Sequence, residues 1–296
     1  MLLPKIESKA LDRIIGAEYQ NRMISKDMQA AQVEALKEYI LHKEKSKYID
    51  RISLNDLVDI SPSTLTAKLN EAISYNADIY YYGKNSIRNV TNILKQNLAF
   101  ASNRKEGGKP EQRKTEKYTE NTIFLVNNSE ASQSTIFLFV NGEPIPLEKT
   151  PLVAAFNQYF SGGFTGLMLK EIREFRSLAY TAGAYISTPS YPKWNSNFYG
   201  NIGTQGDKTI EAIEVATNLI KDMPEYPDRI NNVKDYLVNS SFMAKPSDRR
   251  IALTIESWKQ KGYTEDPTQK NLPLYEKMQF EDMINFYKEH LKGKPK

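Results

Sequence analysis

Through most of the first hundred residues the apolar positions recur at helical spacing. Met28, Ala31, Ala35, Leu36, Tyr39 and Ile40 form one stripe, with Ser25 placed to cap the helix that carries it. Ser61 and Pro62 stand at the N-cap and first-turn positions of a second helix, whose Leu65, Leu69, Ala72 and Ile73 share a face. "NADIYYYGKNS", residues 76–86, packs β-branched and aromatic residues ahead of Gly83 and predicts a strand. "SIRNVTNILKQNL" then predicts a helix that turns Ile87, Val90, Ile93 and Leu94 inward.

The pattern breaks at residues 103–118, "NRKEGGKPEQRKTEKY", which has almost no apolar content and holds a Gly-Gly pair and a proline. It reads as a solvated linker between a mostly helical segment, 1–102, and a second domain, 119–296. In that domain "TIFLVN" and "STIFLFVNG" are near-continuous apolar runs of strand length, the pattern of strands covered by helices. "TPLVAAFNQYF" and "FTGLMLKEIREF" predict helices, and "LAYTAGAYIST" and "NFYGNIGTQ" predict strands. Asp207 is placed to cap the next helix, with Ile210, Ile213, Ala216, Ile220 and Met223 inward, and further helices run to the end. Strands and helices in this order predict an α+β domain, one sheet with helices packed on one face.

Composition narrows the chemistry. The 296 residues suit two domains, and 40% hydrophobic with 11% aromatic residues is enough to pack cores. The 40 Lys+Arg against 36 Asp+Glu leave a net charge of +4 with the signs interspersed, so the chain lacks the basic clustering of a nucleic-acid footprint. No cysteine is present, which excludes disulfides, thiolate nucleophiles and Cys-based zinc sites. No apolar run reaches the length of a membrane span, and "MLLPKIESKALDR" lacks the apolar stretch of a signal peptide. The expectation is a cytosolic protein, or a piece of something longer.

Nothing in the chain forms a self-contained catalyst. The two histidines, His42 and His290, lie far apart with no partner one helical turn away, so no hydrolytic zinc site is expected. There is no G-x-S-x-G elbow, and neither "EGGKP" nor "SGGFTG" is a phosphate-binding loop; Gly162, Gly163 and Gly166 read as a tight turn between helices. One pair of polar residues stands out. Phe164, Leu167, Met168, Ile172 and Phe175 form the inward stripe of a helix, Arg173 falls off it, and Tyr180 opens the next strand seven residues on. A helix that turns straight into a strand brings both to one edge of the sheet. There an Arg fork and a Tyr hydroxyl could polarise a carbonyl, or simply close a helix end and fill a strand edge.

"LKEIREFRSLAYTAGAYIST" resembles the conserved element in the C-terminal domains of the pitrilysin/insulinase-type zinc metallopeptidases, which include the mitochondrial processing peptidases. The surrounding strands and helices over most of residues 120–225 follow the same pattern, and residues 1–105 resemble the second half of a preceding domain of that kind. The resemblance implies a clamshell in two halves, one with a zinc site built on H-x-x-E-H and one without metal. In the metal-free half an Arg and a Tyr seven residues later reach the scissile peptide bond, and Arg173 and Tyr180 match that pair. No H-x-x-E-H occurs here, so the chain is expected to hold no cofactor itself and to be inactive alone. It would bind peptide substrate beside a zinc-bearing partner half, in the same polypeptide or another subunit. The last strand of the second domain is expected to be missing, since the chain stops at "KGKPK". A metal-free scaffold or a peptide-binding module of the same fold is the alternative. The most similar-looking relatives are bacterial envelope peptidases, which implies the periplasm or cell envelope, with the cytoplasm as alternative.

Overall fold

A computed structural model of the chain describes residues 6–98 and 104–296, so the boundary read at 102 and 103 lies outside the described residues. Contacts divide the chain into two compact units, 1–113 and 114–296.

The first unit is helical: α1 (Ser8–Ser25), α2 (Gln29–His42), α3 (Leu54–Val58), α4 (Pro62–Ile73) and α5 (Ile87–Asn97). The cap read at Ser61 is made, its hydroxyl accepting from the Thr64 N–H at 3.2 Å; Ser86 caps α5 in the same way, accepting from the Asn89 N–H at 3.3 Å. Ser25 does not cap α2. It closes α1 by donating to the Arg22 carbonyl, and Met28 occupies the N-cap position instead. Residues 76–86 form no strand; their neighbourhood holds one isolated bridge, Tyr75 with Lys105. β-propensity without a partner strand makes no ladder, and the Tyr81 hydroxyl instead accepts from the Asn85 N–H across a turn. Ile87 and Ile93 are exposed rather than inward, because the described part of this unit has no sheet for α5 to cover. Leu11 is its one buried apolar residue among those described. The proposed linker is partly pinned: the Arg113 guanidinium meets the Glu38 carboxylate at 2.8 Å and also the Lys45 carbonyl. Burial alone would raise the Glu38 pKa, but the Lys47 N–H and Arg113 overcome it and hold the carboxyl below its ordinary value.

The second unit carries the core. Its strands β1 (Gln133–Val140), β2 (Ala179–Ile186) and β3 (Phe198–Gln205) form an antiparallel sheet in the order β1-β3-β2. Residues 122–127 are not in it: Ile123, Leu125 and Val126 are exposed and pair with no strand, although the Thr122 N–H bonds to the Lys296 carbonyl at 3.0 Å. Alternation along the strands gives the sheet two different faces. Ile136, Leu138, Val140, Ala184, Ile186, Phe198 and Ile202 point into the core. On the other face Tyr185, Tyr199 and Phe139 form a row with ring centroids 5.7–5.8 Å apart.

Helices of this unit cover the core face. α6 (Thr150–Ser161) packs on β2, and α8 (Thr209–Lys221) packs on β3 and β1. α9 (Ile230–Met243, counted after the three-residue α7, Leu167–Leu169) and α12 (Phe280–His290) pack on α6 from outside. Between them run α10 (Ile251–Gln260) and α11 (Pro267–Lys277). The fold is thus α+β with a small sheet covered on one face. α8 begins at Thr209, after a single 3-10 turn that contains Asp207, so Asp207 does not cap it; Ile210 at its first turn is exposed. The Tyr287 hydroxyl ties α12 to the end of α8, donating to backbone carbonyls at Lys221 (2.7 Å) and Ile220 (3.1 Å) and accepting from the Met223 N–H at 3.2 Å.

His290 is more enclosed than a helix-end histidine usually is. Its side chain is 12% exposed, its ring packs 4.6 Å from that of Phe286, and its Nε2 has no hydrogen-bond partner among the described residues. Glu289 lies 3.5 Å away but is already held by Lys149 at 2.7 and 2.8 Å. Burial therefore pushes the imidazole pKa below its ordinary value, with Glu289 opposing and Lys149 assisting. The folded state takes up this proton less readily than the unfolded one. The stability contributed by neutral His290 is present above a pH of about 6.5 and is lost as pH falls below it. Urea midpoints at pH 7.5 and 5.5 should differ less in His290→Gln than in the parent chain; equal differences would remove His290 from the acid response.

Candidate functional site

Arg173 and Tyr180 are brought together by three successive departures from regular backbone. The sequence predicts one helix from 164 to 175, but the chain makes only the single turn α7 and then a π-helical turn over Lys170–Glu174. The Phe175 N–H reaches back to the Lys170 carbonyl at 2.9 Å, which marks the wider turn. Leu167, Met168 and Ile172 are buried as the stripe predicts, whereas Phe164 and Phe175 at its ends are 75% and 67% exposed. A stripe at α spacing slips out of phase when the helix is cut short at one end and widened at the other. Gly166 permits the first change: a Cβ there would come within 2.6 Å of the Ser161 Cα.

The second departure is Ser177, a non-glycine residue with φ of 51°. Its N–H bonds to the Arg173 carbonyl and that of Leu178 to the Ile172 carbonyl, both at 2.9 Å, so the helix ends and the chain reverses within two residues. A left-handed serine costs on the order of 1 kcal/mol. Buried Thr204 bonds to the Leu178 carbonyl, and Lys208 Nζ bonds to the Ser177 carbonyl at 3.2 Å.

The third is a bulge. β2 pairs Ala179 with Thr204 and then Thr181 with Gly203, so Tyr180 is the extra, unpaired residue. A bulge re-aims the side chain it carries, and the Tyr180 ring is 77% exposed. The Arg173 guanidinium carbon lies 5.6 Å from the centre of that ring, within cation–π range. Arg173 Nε also approaches Glu174 Oε1 at 3.4 Å. Arg173 and Tyr180 both line an open cavity of about 540 Å³, with Glu174, Gln133, Gln205 and residues 177–179. The site thus presents guanidinium and phenol donors to one space, beside a carboxylate that steadies the guanidinium.

Sequence spacing finds Arg173 and Tyr180 but has no signal for the π turn, the left-handed Ser177 or the bulge, and it passes over Glu174. His42 and His290 fall in different units, and among the described residues no three His, Cys, Asp or Glu side chains are grouped to hold a metal ion. No described helix is long and apolar enough to cross a membrane.

A family profile described as "Peptidase M16 inactive domain" matches residues 74–234. Solved structures agree in fold. A peptidase M16 inactive domain from Pseudomonas fluorescens is 17% identical, with a TM-score of 0.68 over 98% of this chain and 69% of that one. The periplasmic protease PqqL from Escherichia coli is 17% identical, with a TM-score of 0.67 over 97% of this chain. A ferredoxin protease, FusC, solved with Arabidopsis ferredoxin, is 11% identical, with a TM-score of 0.72 over 96% of this chain. The chain spans 32% and 31% of the length of those two proteases. No curated protein sequence matches it.

Proposed function

The chain belongs to the peptidase M16 inactive-domain family, and from that membership we propose that it is the substrate-holding, metal-free portion of a zinc endopeptidase. Arg173 and Tyr180 contact the peptide at the scissile bond. The observation that carries this reading is the convergence of a π turn, a left-handed serine and a bulge on those two side chains. Each costs folding energy, and such departures concentrate where a site must be aimed.

In this reading residues 1–102 are the second half of a preceding family domain, residues 103–118 the linker, and residues 119–296 the inactive peptidase-like domain. Zinc belongs to another half with an H-x-x-E-H motif, where it would activate the attacking water. The part played by this chain is positional and electrostatic. The Arg173 fork and the Tyr180 hydroxyl donate hydrogen bonds to the carbonyl oxygen of the bound peptide as charge builds on it. The exposed cavity opening lets an extended peptide pass. Two of the proteases that share the fold are about three times as long as this chain, which leaves room for such a half. One of them is periplasmic, and we assign this protein to the bacterial envelope on the same basis.

The test is metal analysis of the purified chain, with cleavage of a quenched fluorescent peptide measured before and after zinc addition and then with a zinc-bearing M16 half from the same genome. The expected result is no bound zinc, no cleavage alone, and cleavage on mixing. Stoichiometric zinc with chelator-sensitive cleavage by the chain alone would overturn the assignment; absence of cleavage in every mixture would favour a scaffold.

A further inference from the structure

The cavity at Arg173 and Tyr180 takes Ala179 and Tyr180 from β2, and a second one, of about 690 Å³, takes Thr181 to Tyr185 from the same strand. The two share one strand, and that strand is an edge of the sheet. In its register with β3 the backbone groups of Ala182, Ala184 and Ile186 point away from the sheet, since the N–H groups of Ala184 and Ile186 bond to side chains of α6. The Asn157 amide takes both groups of Ile186, donating to its carbonyl at 2.9 Å and accepting from its N–H at 2.8 Å, as a residue of a neighbouring strand would. Ser161 Oγ accepts from the Ala184 N–H at 2.9 Å. The helix stops there, at Ser161. Among the described residues the Ala184 carbonyl and both backbone groups of Ala182 have no such partner.

We propose that this open stretch of β2 pairs with the substrate peptide as an added strand, so that Ala182 is a subsite of the same peptide held at Arg173 and Tyr180. This rests on the reading above. The occupant is an extended peptide because the vacant groups are one donor and two acceptors at strand spacing. A residue opposite Ala182 exchanges two hydrogen bonds with it, and a further residue donates one to the Ala184 carbonyl. Small residues along the strand (Ala182, Gly183, Ala184) let another backbone approach. Asn157 and Ser161 end the pairing, so only a short segment fits. No charged side chain lines this cavity, whose walls include Gln158, Tyr236 and Asn201. The segment is therefore uncharged, and its central residue is not proline. Ala182 to Tyr180 spans about 7 Å and Ala184 to Tyr180 about 13 Å, which places the preference two to four residues from the bond held at Tyr180.

The test uses the 296-residue chain labelled with nitrogen-15 and a fluorescein-labelled heptapeptide of alternating threonine and valine. Saturable binding is expected, with amide shifts at Ala182 and Gly183. N-methylation should weaken binding about fivefold at each of two positions of the peptide, two residues apart, and little at the residue between them, each the loss of one backbone hydrogen bond. Ala182→Pro removes only an outward N–H and should weaken binding similarly. Because the N-methyl series uses unmodified protein, it stands even if Ala182→Pro does not fold. No binding at millimolar peptide, or binding equally indifferent to N-methylation at every position, overturns the proposal. The two ideas separate by readout, because the clamp acts on charge that develops in the transition state and so shows in kcat of the assembled enzyme rather than in peptide binding. Position-dependent binding with an unchanged kcat in Arg173→Ala would support the strand edge and sink the Arg–Tyr clamp, whereas a lowered kcat in Arg173→Ala without N-methyl dependence of binding would do the reverse.

Discussion

Arg173→Ala and Tyr180→Phe, each tested in the assembled two-half enzyme, should lower kcat/KM by roughly 10²-fold, on the scale of removing one donor from a developing oxyanion. The fall should appear mainly in kcat. A donor aimed at charge that develops only in the transition state contributes little to ground-state binding. The two losses should not add in full, because the guanidinium packs on the phenol ring and removing either partner loosens the other. Neither side chain belongs to the core. Tyr180 is 77% exposed and the Arg173 side chain 39% exposed, so the melting temperature of both variants should stay within about 1–2 °C of the parent. A double variant with full activity would end the clamp assignment. A double variant that is inactive because it is unfolded would show that the two residues are structural.

Glu174 gives a control within the same cavity. Its carboxylate approaches the Arg173 guanidinium but offers no donor to a carbonyl oxygen. If the site works by donation, Glu174→Gln should have a much smaller effect than Arg173→Ala.

Much of this arrangement is legible before any coordinates. The strands β1, β2 and β3, the helices α6, α8, α9 and α12, and the cap at Ser61 follow from apolar period and capping chemistry, because local pattern and tertiary burial agree there. The failures have a common cause. Residues 76–86 and 122–127 have strand composition, yet a strand exists only through a partner, and composition is silent about the partner. α5 forms where the period predicts it, but Ile87 and Ile93 are exposed rather than inward for the same reason, since the described part of its unit has no sheet for that face to meet. At the site the error is of another kind: the spacing of Leu167, Met168 and Ile172 reads as α-helix, and nothing in it reveals the wider turn at Arg173 or the bulge at Tyr180. The sequence therefore identifies the pair of residues but not the backbone that aims them.

The helix that borders the proposed peptide groove is also where the fold is most vulnerable, and Phe156→Ala should show it. α6 is two-sided. Asn157 and Ser161 face the free edge of β2, while Phe156 is wholly buried. Its ring stacks on Phe160 at 5.2 Å, lies parallel to that of Tyr287 at 6.4 Å and meets Phe286 at 6.2 Å, so it joins α6 to α12. Truncation removes the apolar contacts and leaves a cavity that close-packed neighbours fill only in part, at about 3–5 kcal/mol. For a unit of this size that lowers the melting temperature by about 10 °C. Trp194 and Trp258 both lie in the second unit, so tryptophan fluorescence follows its unfolding without a signal from the first. Below the transition, Phe156→Ala should still bind peptide with the parent sensitivity to N-methylation, because the residue touches neither cavity. A stable Phe156→Ala would mean that α6 and α12 do not share one core. A folded variant that had lost peptide binding would mean that the groove depends on the packing beneath it as well as on the backbone of β2.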